Sequence, residues 1–154
     1  MGLEEFRTLY TAEVVERVRG RGVRVSHDYR AHPGAIPLPA TLSMELGRRI
    51  TAQGNASVAL YSPYPFPWRT DGELRDNFGR NAWSALNADP GTPYYRFVEE
   101  GGQSVLRYAT ADRLRPQCVN CHNTHPQTPR SGWKTGDVRG ILEASIPMGE
   151  STGT

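Results

Sequence analysis

Lysine is almost missing from this chain of 154 residues: of its 18 basic side chains only Lys134 is lysine, and the others are arginine. Six arginines fall between Arg7 and Arg30, but with a net charge of only +2 they read as a solvated helix face, and nothing here calls for nucleic acid or anionic lipid as a partner. Long apolar runs are missing too. None approaches the roughly 18 residues needed to span a bilayer, and Met1-Gly2-Leu3-Glu4-Glu5 has neither the basic nor the apolar part of an export signal. Cysteine occurs twice, at 118 and 121, too few for a disulfide framework. There is no internal repeat, no glycine-rich phosphate loop, no nucleophile and base trio, and no carboxylate pair spaced for acid–base work. Enzyme activity is therefore not expected of this chain, and any catalysis would belong to another domain.

What is present fits one globular domain over residues 1–154: an N-terminal helix (1–20), a core (21–148) and a tail (149–154). Leu3, Phe6, Tyr10, Val14 and Val18 recur at helical spacing until Gly20 and Gly22 stop them. After an irregular stretch Pro39 opens a second helix with the stripe Leu42, Leu46 and Ile50, ended by Gly54. Ser57 to Tyr61 reads as a strand, followed by a loop, 62–68, with three prolines and three aromatics. Thr70-Asp71-Gly72-Glu73 reads as a capping box opening a third helix. Tyr94 to Val98 and Ser104 to Thr110 are β-rich runs joined by a glycine-bearing turn, and Val138 to Ile146 is a last strand. Helices early and strands late predict an α+β domain, an antiparallel sheet of about four or five strands packed with helices.

Between the last two strands, in a stretch rich in Pro, Asn and Thr that reads as a loop, lies Cys118-Val119-Asn120-Cys121-His122. Cys-x-x-Cys-His is the attachment signature of c-type haem. Two thiols at this spacing form thioethers to the two haem vinyl groups, and His122 then lies beneath the iron as proximal axial ligand. Zinc held by Cys118, Cys121 and His125 is the alternative, but it needs a fourth ligand, and only His27 and His32 are left, far away. A redox pair or simple disulfide is a third reading. One covalently bound haem c is the reading the motif favours. His125 is expected to hydrogen-bond nearby, and Arg107, Arg130, Trp133 and Lys134 are candidates to hold the propionates, since guanidinium forks onto carboxylate and indole donates one hydrogen bond.

The stretch from Tyr108 through Cys118, Cys121, His122, His125 and Pro126, continuing into Trp133-Lys134 and Gly136-Asp137-Val138-Arg139-Gly140, resembles the covalent-haem PAS-like sensor domains. Those domains sit outside the cytoplasmic membrane on anchored nucleotide cyclases, kinases and chemoreceptors. The resemblance is most specific over residues 94–147, is weaker in 34–41 and at Ser62-Pro63, and is closest to the versions attached to cyclases. It implies a PAS-like sheet holding the haem, an N-terminal helix continuous with a membrane anchor, an output module after the last strand, and an extracytoplasmic fragment cut from a longer protein. Pairing of two copies is compatible with it.

The sixth iron position separates a sensor from an electron carrier, because two strong protein ligands favour electron transfer while an open or weak site admits a diatomic gas. Some members of the family supply a cysteine two residues before a proline ahead of the second helix. The matching residue here is Ala35, before Pro37, and alanine cannot ligate. His32, His27 and Met44 are the remaining distal candidates. The expected function is a haem sensor of redox state or of a gas such as NO or CO, with a monohaem cytochrome working with an electron donor and acceptor as the alternative.

Overall fold

The computed structural model describes residues 2–54 and 56–149, so residues 150–154 of the expected tail lie outside the described residues. The chain divides into two compact units, Met1–Gln53 and Gly54–Thr154. In the first, α1 (Gly2–Tyr10) runs through a π-helical turn (Thr11–Val15) into α2 (Glu16–Val18). That turn corrects the expected stripe. A π turn takes an extra residue, so burial after Tyr10 falls on Thr11 and Val15, and Val14 is left exposed. Two short parallel strands, β1 (Val25–Ser26) and β2 (Ile36–Pro37), bracket the irregular stretch. They lead into α3 (Pro39–Ala52), whose first turn holds Pro39, where the missing N–H costs nothing. Its buried positions are the small Ser43 and Gly47, one turn apart, while Leu42, Leu46 and Ile50 are half-buried. The Tyr10 hydroxyl donates to Pro37 O at 2.9 Å and ties α1 to the start of α3.

The second unit holds β3 (Ser57–Tyr61), α4 (Asn77–Ala88), β4 (Tyr94–Glu100), β5 (Gln103–Arg113), α5 (Pro116–Thr124) and β6 (Val138–Pro147). Its strands form one sheet in the order β3-β6-β5-β4, antiparallel throughout. The fold is α+β as expected. β4 and β5 are joined at Gly101 and Gly102, whose φ values of 59° and 79° give the left-handed pair that matches strand twist in a two-residue hairpin. α4 lays Phe78, Ala82 and Leu86 against Ala109, Ala111 and Ile141, and this apolar layer is the core of the unit.

α4 begins later than the capping box at Thr70 predicts. The Gly72 N–H is taken by Arg69 O and its carbonyl accepts from Ser62 N at 2.7 Å, so residues 70–72 are held in a turn. The cap is Asp76 instead: its Oδ1 accepts from Gly79 N at 2.9 Å and satisfies one of the orphan donors of the first turn.

Gly140 sits where β6 passes β3, and a Cβ there would lie 2.6 Å from Tyr61 O. That atom is backbone and cannot yield without parting the strands. Gly140→Ala is expected to cost about 1–3 kcal/mol, read as a fall of several degrees in the thermal unfolding midpoint by circular dichroism.

Candidate functional site

β5 and β6 are the two inner strands, and the chain between them leaves and returns through one clasp: Leu114 N donates to Asp137 O at 2.9 Å, and Gly136 N to Leu114 O at 2.7 Å. Inside the clasp, the Cys-x-x-Cys-His run is helical, which corrects the expected loop. Arg115 is extended, Pro116 occupies the first turn, and no further proline or glycine follows through Thr124, so α5 propagates across the whole motif. It stops at His125, held extended because Pro126 disfavours helical geometry in the residue before it.

Cys118 and Cys121, three residues apart on α5, are neighbours on one side of the helix. Cys121 is exposed and Cys118 half-buried. His122 follows on the next position, half-buried, with its ring centroid 5.3 Å from Phe66. Phe66 stacks on Trp68 at 4.5 Å, and His125 meets both rings edge-on at 5.3 Å. The proline-stiffened loop thus forms an aromatic shelf beside the motif. Arg139, near the start of β6, donates from Nε to His122 Nδ1 at 3.3 Å and from Nη2 to Tyr64 O at 3.2 Å. The Asn123 side chain pairs with both backbone groups of Trp133, at 2.9 and 2.8 Å, and the Thr128 hydroxyl lies 2.6 Å from His122 O.

These residues fit a covalently held haem in their donor chemistry: two thiols on one helical turn, the next imidazole, an apolar aromatic bed and cations nearby. One contact has to change. A neutral imidazole ligating iron through Nε2 carries its proton on Nδ1, so the Arg139 N–H aimed at Nδ1 must turn aside when the iron is bound. The closed thiolate and imidazole set that zinc requires is not assembled, since among the described residues no three His, Cys, Asp or Glu side chains come together as a metal site.

The other sequence candidates fall in several places. His125 caps α5 and its Nδ1 accepts from Gln127 N at 3.1 Å, a backbone role. Trp133 is buried and its single indole donor goes to Arg130 O at 3.0 Å, so that N–H is not offered to a propionate. Arg130 stacks over Tyr64 and Trp133 at 4.8 and 4.2 Å, and Lys134 is exposed. Arg107 is not with the motif. Its guanidinium is forked onto Glu143 at 2.6 and 3.1 Å and reaches Asp76 at 2.5 Å, far along β5 from α5. His27, His32 and Met44 all belong to the first unit and are half-buried. Sequence reasoning gave no role to Phe66, Trp68, Tyr64, Asn123, Thr128 or Arg139. The crowding of prolines and aromatics in 62–68 was the one available signal.

His32 has a partner of its own: Nε2 lies 3.0 Å from Asp28 Oδ2, while the Ser26 hydroxyl donates to Asp28 Oδ1. Ser26 first, and His32 after it, hold the Asp28 carboxyl at about 2. Because that value is depressed, the stabilisation is complete above an ordinary carboxylate value of about 4 and is lost as pH falls toward 2. Ser26→Ala is expected to raise the Asp28 midpoint further than His32→Ala, in a carboxyl NMR titration.

No curated protein and no solved structure matched this chain. Among the described residues no helix is long and apolar enough to cross a membrane. A family model described as Tll0287-like matches residues 3–147, nearly the full length and including the motif, its clasp and the sheet. The chain belongs to the Tll0287-like family.

Proposed function

We propose that this chain is a c-type haem sensor domain, working outside the cytoplasmic membrane as the input part of an anchored signalling protein, and that a nucleotide cyclase is the output it serves. The observation that carries the reading is Cys118, Cys121 and His122 together on one short helix beside the Phe66 and Trp68 shelf. Membership of the Tll0287-like family points the same way, toward a haem-binding domain. In this reading Cys118 and Cys121 form the thioethers, His122 is the proximal ligand, and Arg130 and Lys134 stand near enough in sequence and charge to serve the propionates. Bound haem supplies an iron that changes redox state and takes NO or CO.

The residues around the motif give such a change a path into the fold. His122 touches Arg139 on β6, and Asn123 is paired with Trp133 just before β6, so a shift of α5 bears on a central strand. A signal moves the domain only by the difference in its affinity for two states, so the distal side must differ between them. The chain itself is proposed to bind and report, with catalysis left to an output domain.

Maturation in a host competent for covalent attachment is the test. The pigment should resist acid acetone extraction, Cys118→Ala with Cys121→Ala should give colourless protein, and His122→Ala should keep its colour with a changed spin state in the absorption spectrum. Colour that extracts, or that survives the double substitution, rejects the proposal. A shift of the reduced spectrum under carbon monoxide supports the gas sensor, and unchanged six-coordinate spectra in both redox states support the electron carrier.

A further inference from the structure

The α4 side of the sheet carries a second polar centre that the haem reading leaves unused. A cleft of about 240 Å³ opens there, entirely within the second unit, with Arg107, Glu143, Asp76 and Tyr61 at its base. Glu143, with its side chain 5% exposed, is saturated: it accepts twice from Arg107, once from the Tyr61 hydroxyl at 2.5 Å and once from Ser145 at 3.1 Å. Burial, then the Glu143 carboxylate, push the Tyr61 hydroxyl pKa up, so Tyr61 stays a neutral donor. Burial alone would raise Asp76, but its bonds to Arg107 and Gly79 outweigh this and lower it, so it is ionised. Within the network one guanidinium, Arg107, serves two carboxylates, and the Arg80 charge acts on Asp76 from beside it. Arg107 spends three of its five N–H groups on the two carboxylates.

The rim differs. Arg75 and Glu100 line the same cleft, both exposed, and neither is paired with the other. Arg75 donates from Nη2 to the Asp71 carbonyl at 2.5 Å, and among the described residues no carboxylate forms an ion pair with it. The buried Glu143 and the half-exposed Asp76 at the base, with the Glu100 carboxylate and the Arg75 guanidinium on the same lining, select for a solute with both signs of charge. The volume is below the roughly 300–1,000 Å³ of sites for drug-sized ligands. We infer that this cleft binds a free α-amino acid, its ammonium toward Glu100 and the Asp76 side of the base and its carboxylate on Arg75. The inference does not rest on the haem proposal, and it adds a small-molecule input to the same sheet.

The two rim residues permit a test that spares the buried network, whose disruption would unfold the unit. The full matured chain is titrated calorimetrically and by thermal unfolding with each of the twenty common L-amino acids at millimolar concentration, alongside ethanolamine, which lacks the carboxylate, and acetate, which lacks the ammonium. At least one amino acid should bind and, at about 100 times its Kd, raise the unfolding midpoint by roughly 5–10 °C. Ethanolamine and acetate should bind at least tenfold more weakly. Arg75→Gln should weaken the amino acid at least tenfold and leave ethanolamine unchanged, whereas Glu100→Gln should weaken both, with circular dichroism like the parent. Binding by no amino acid, equal binding of ethanolamine or acetate, or affinity untouched by both substitutions overturns the inference. None of these readouts uses the haem spectrum, so failure here and failure of the haem proposal are separate results.

Discussion

The two hydrogen bonds between Leu114 and the Gly136-Asp137 segment set the position of everything between β5 and β6. Both strands are inner members of the sheet, paired on each side, and Ile141 beside them is fully buried. An excursion pinned there is anchored to the least yielding part of the unit, where opening requires the loss of many strand bonds at once. Inside that clasp, Pro116 and Pro126 mark the limits of α5 from outside and from within the chain's own stiffness. The motif is therefore presented on a short rigid helix held at both ends. The two thiols and the imidazole are thereby held in fixed relation without a large core.

Around the helix the polar groups are satisfied in a way that makes the surrounding chain depend on the motif. Trp133 is buried, its N–H and C=O are paired with the Asn123 side chain, and its indole reaches Arg130 O. Asn123 thus behaves as a piece of strand, offering one donor and one acceptor to a backbone segment that has no strand neighbour there. Removing it would leave two backbone groups beside a buried ring without partners, a loss of about 1–3 kcal/mol each. Arg139 plays the matching part for His122, but only while Nδ1 is an acceptor. The same guanidinium lies 5.8 Å over Phe66 and bonds Tyr64 O, so it has other anchors when that acceptor is lost.

The strands and the motif were readable because their signals are local. β3 matches its expected limits, the Gly101-Gly102 turn declares itself, and Cys-x-x-Cys-His depends on nothing distant. What could not be read depends on tertiary partners. The helix start moved from Thr70 to Asp76 because Ser62, far back in the chain, takes the Gly72 carbonyl. Val14 lost its inward place to Val15 through a π turn that no periodicity of 3.6 anticipates. The motif reads as loop by composition because Pro, Asn and Thr are loop formers, although Pro116 at a first turn favours the helix that forms. Arg107 looked available for a propionate only because Glu143, thirty-six residues later, and Asp76 were invisible as its partners.

β6 joins these observations. Along a strand alternate residues share a face, so Ile141 and Glu143 stand on the side of the sheet that α4 covers through Ile141, and Arg139 lies just before them at the bulge where the β5–β6 register shifts. Arg139 touches His122 at one end of this stretch, and Glu143 holds Arg107 at the other, about 13 Å away at strand spacing. Arg107 in turn reaches Asp76, the cap of α4, and lies 4.2 Å over Phe78 in its first turn. A displacement of β6 at Arg139 therefore has one packed residue to cross before it meets the ion pair that fixes the start of α4. Close packing transmits such a shift because the buried side chain between has no room to absorb it. His122 and the α4 cap are thus mechanically adjacent through a single strand, even though the residues that join them are scattered from 76 to 143 in the chain.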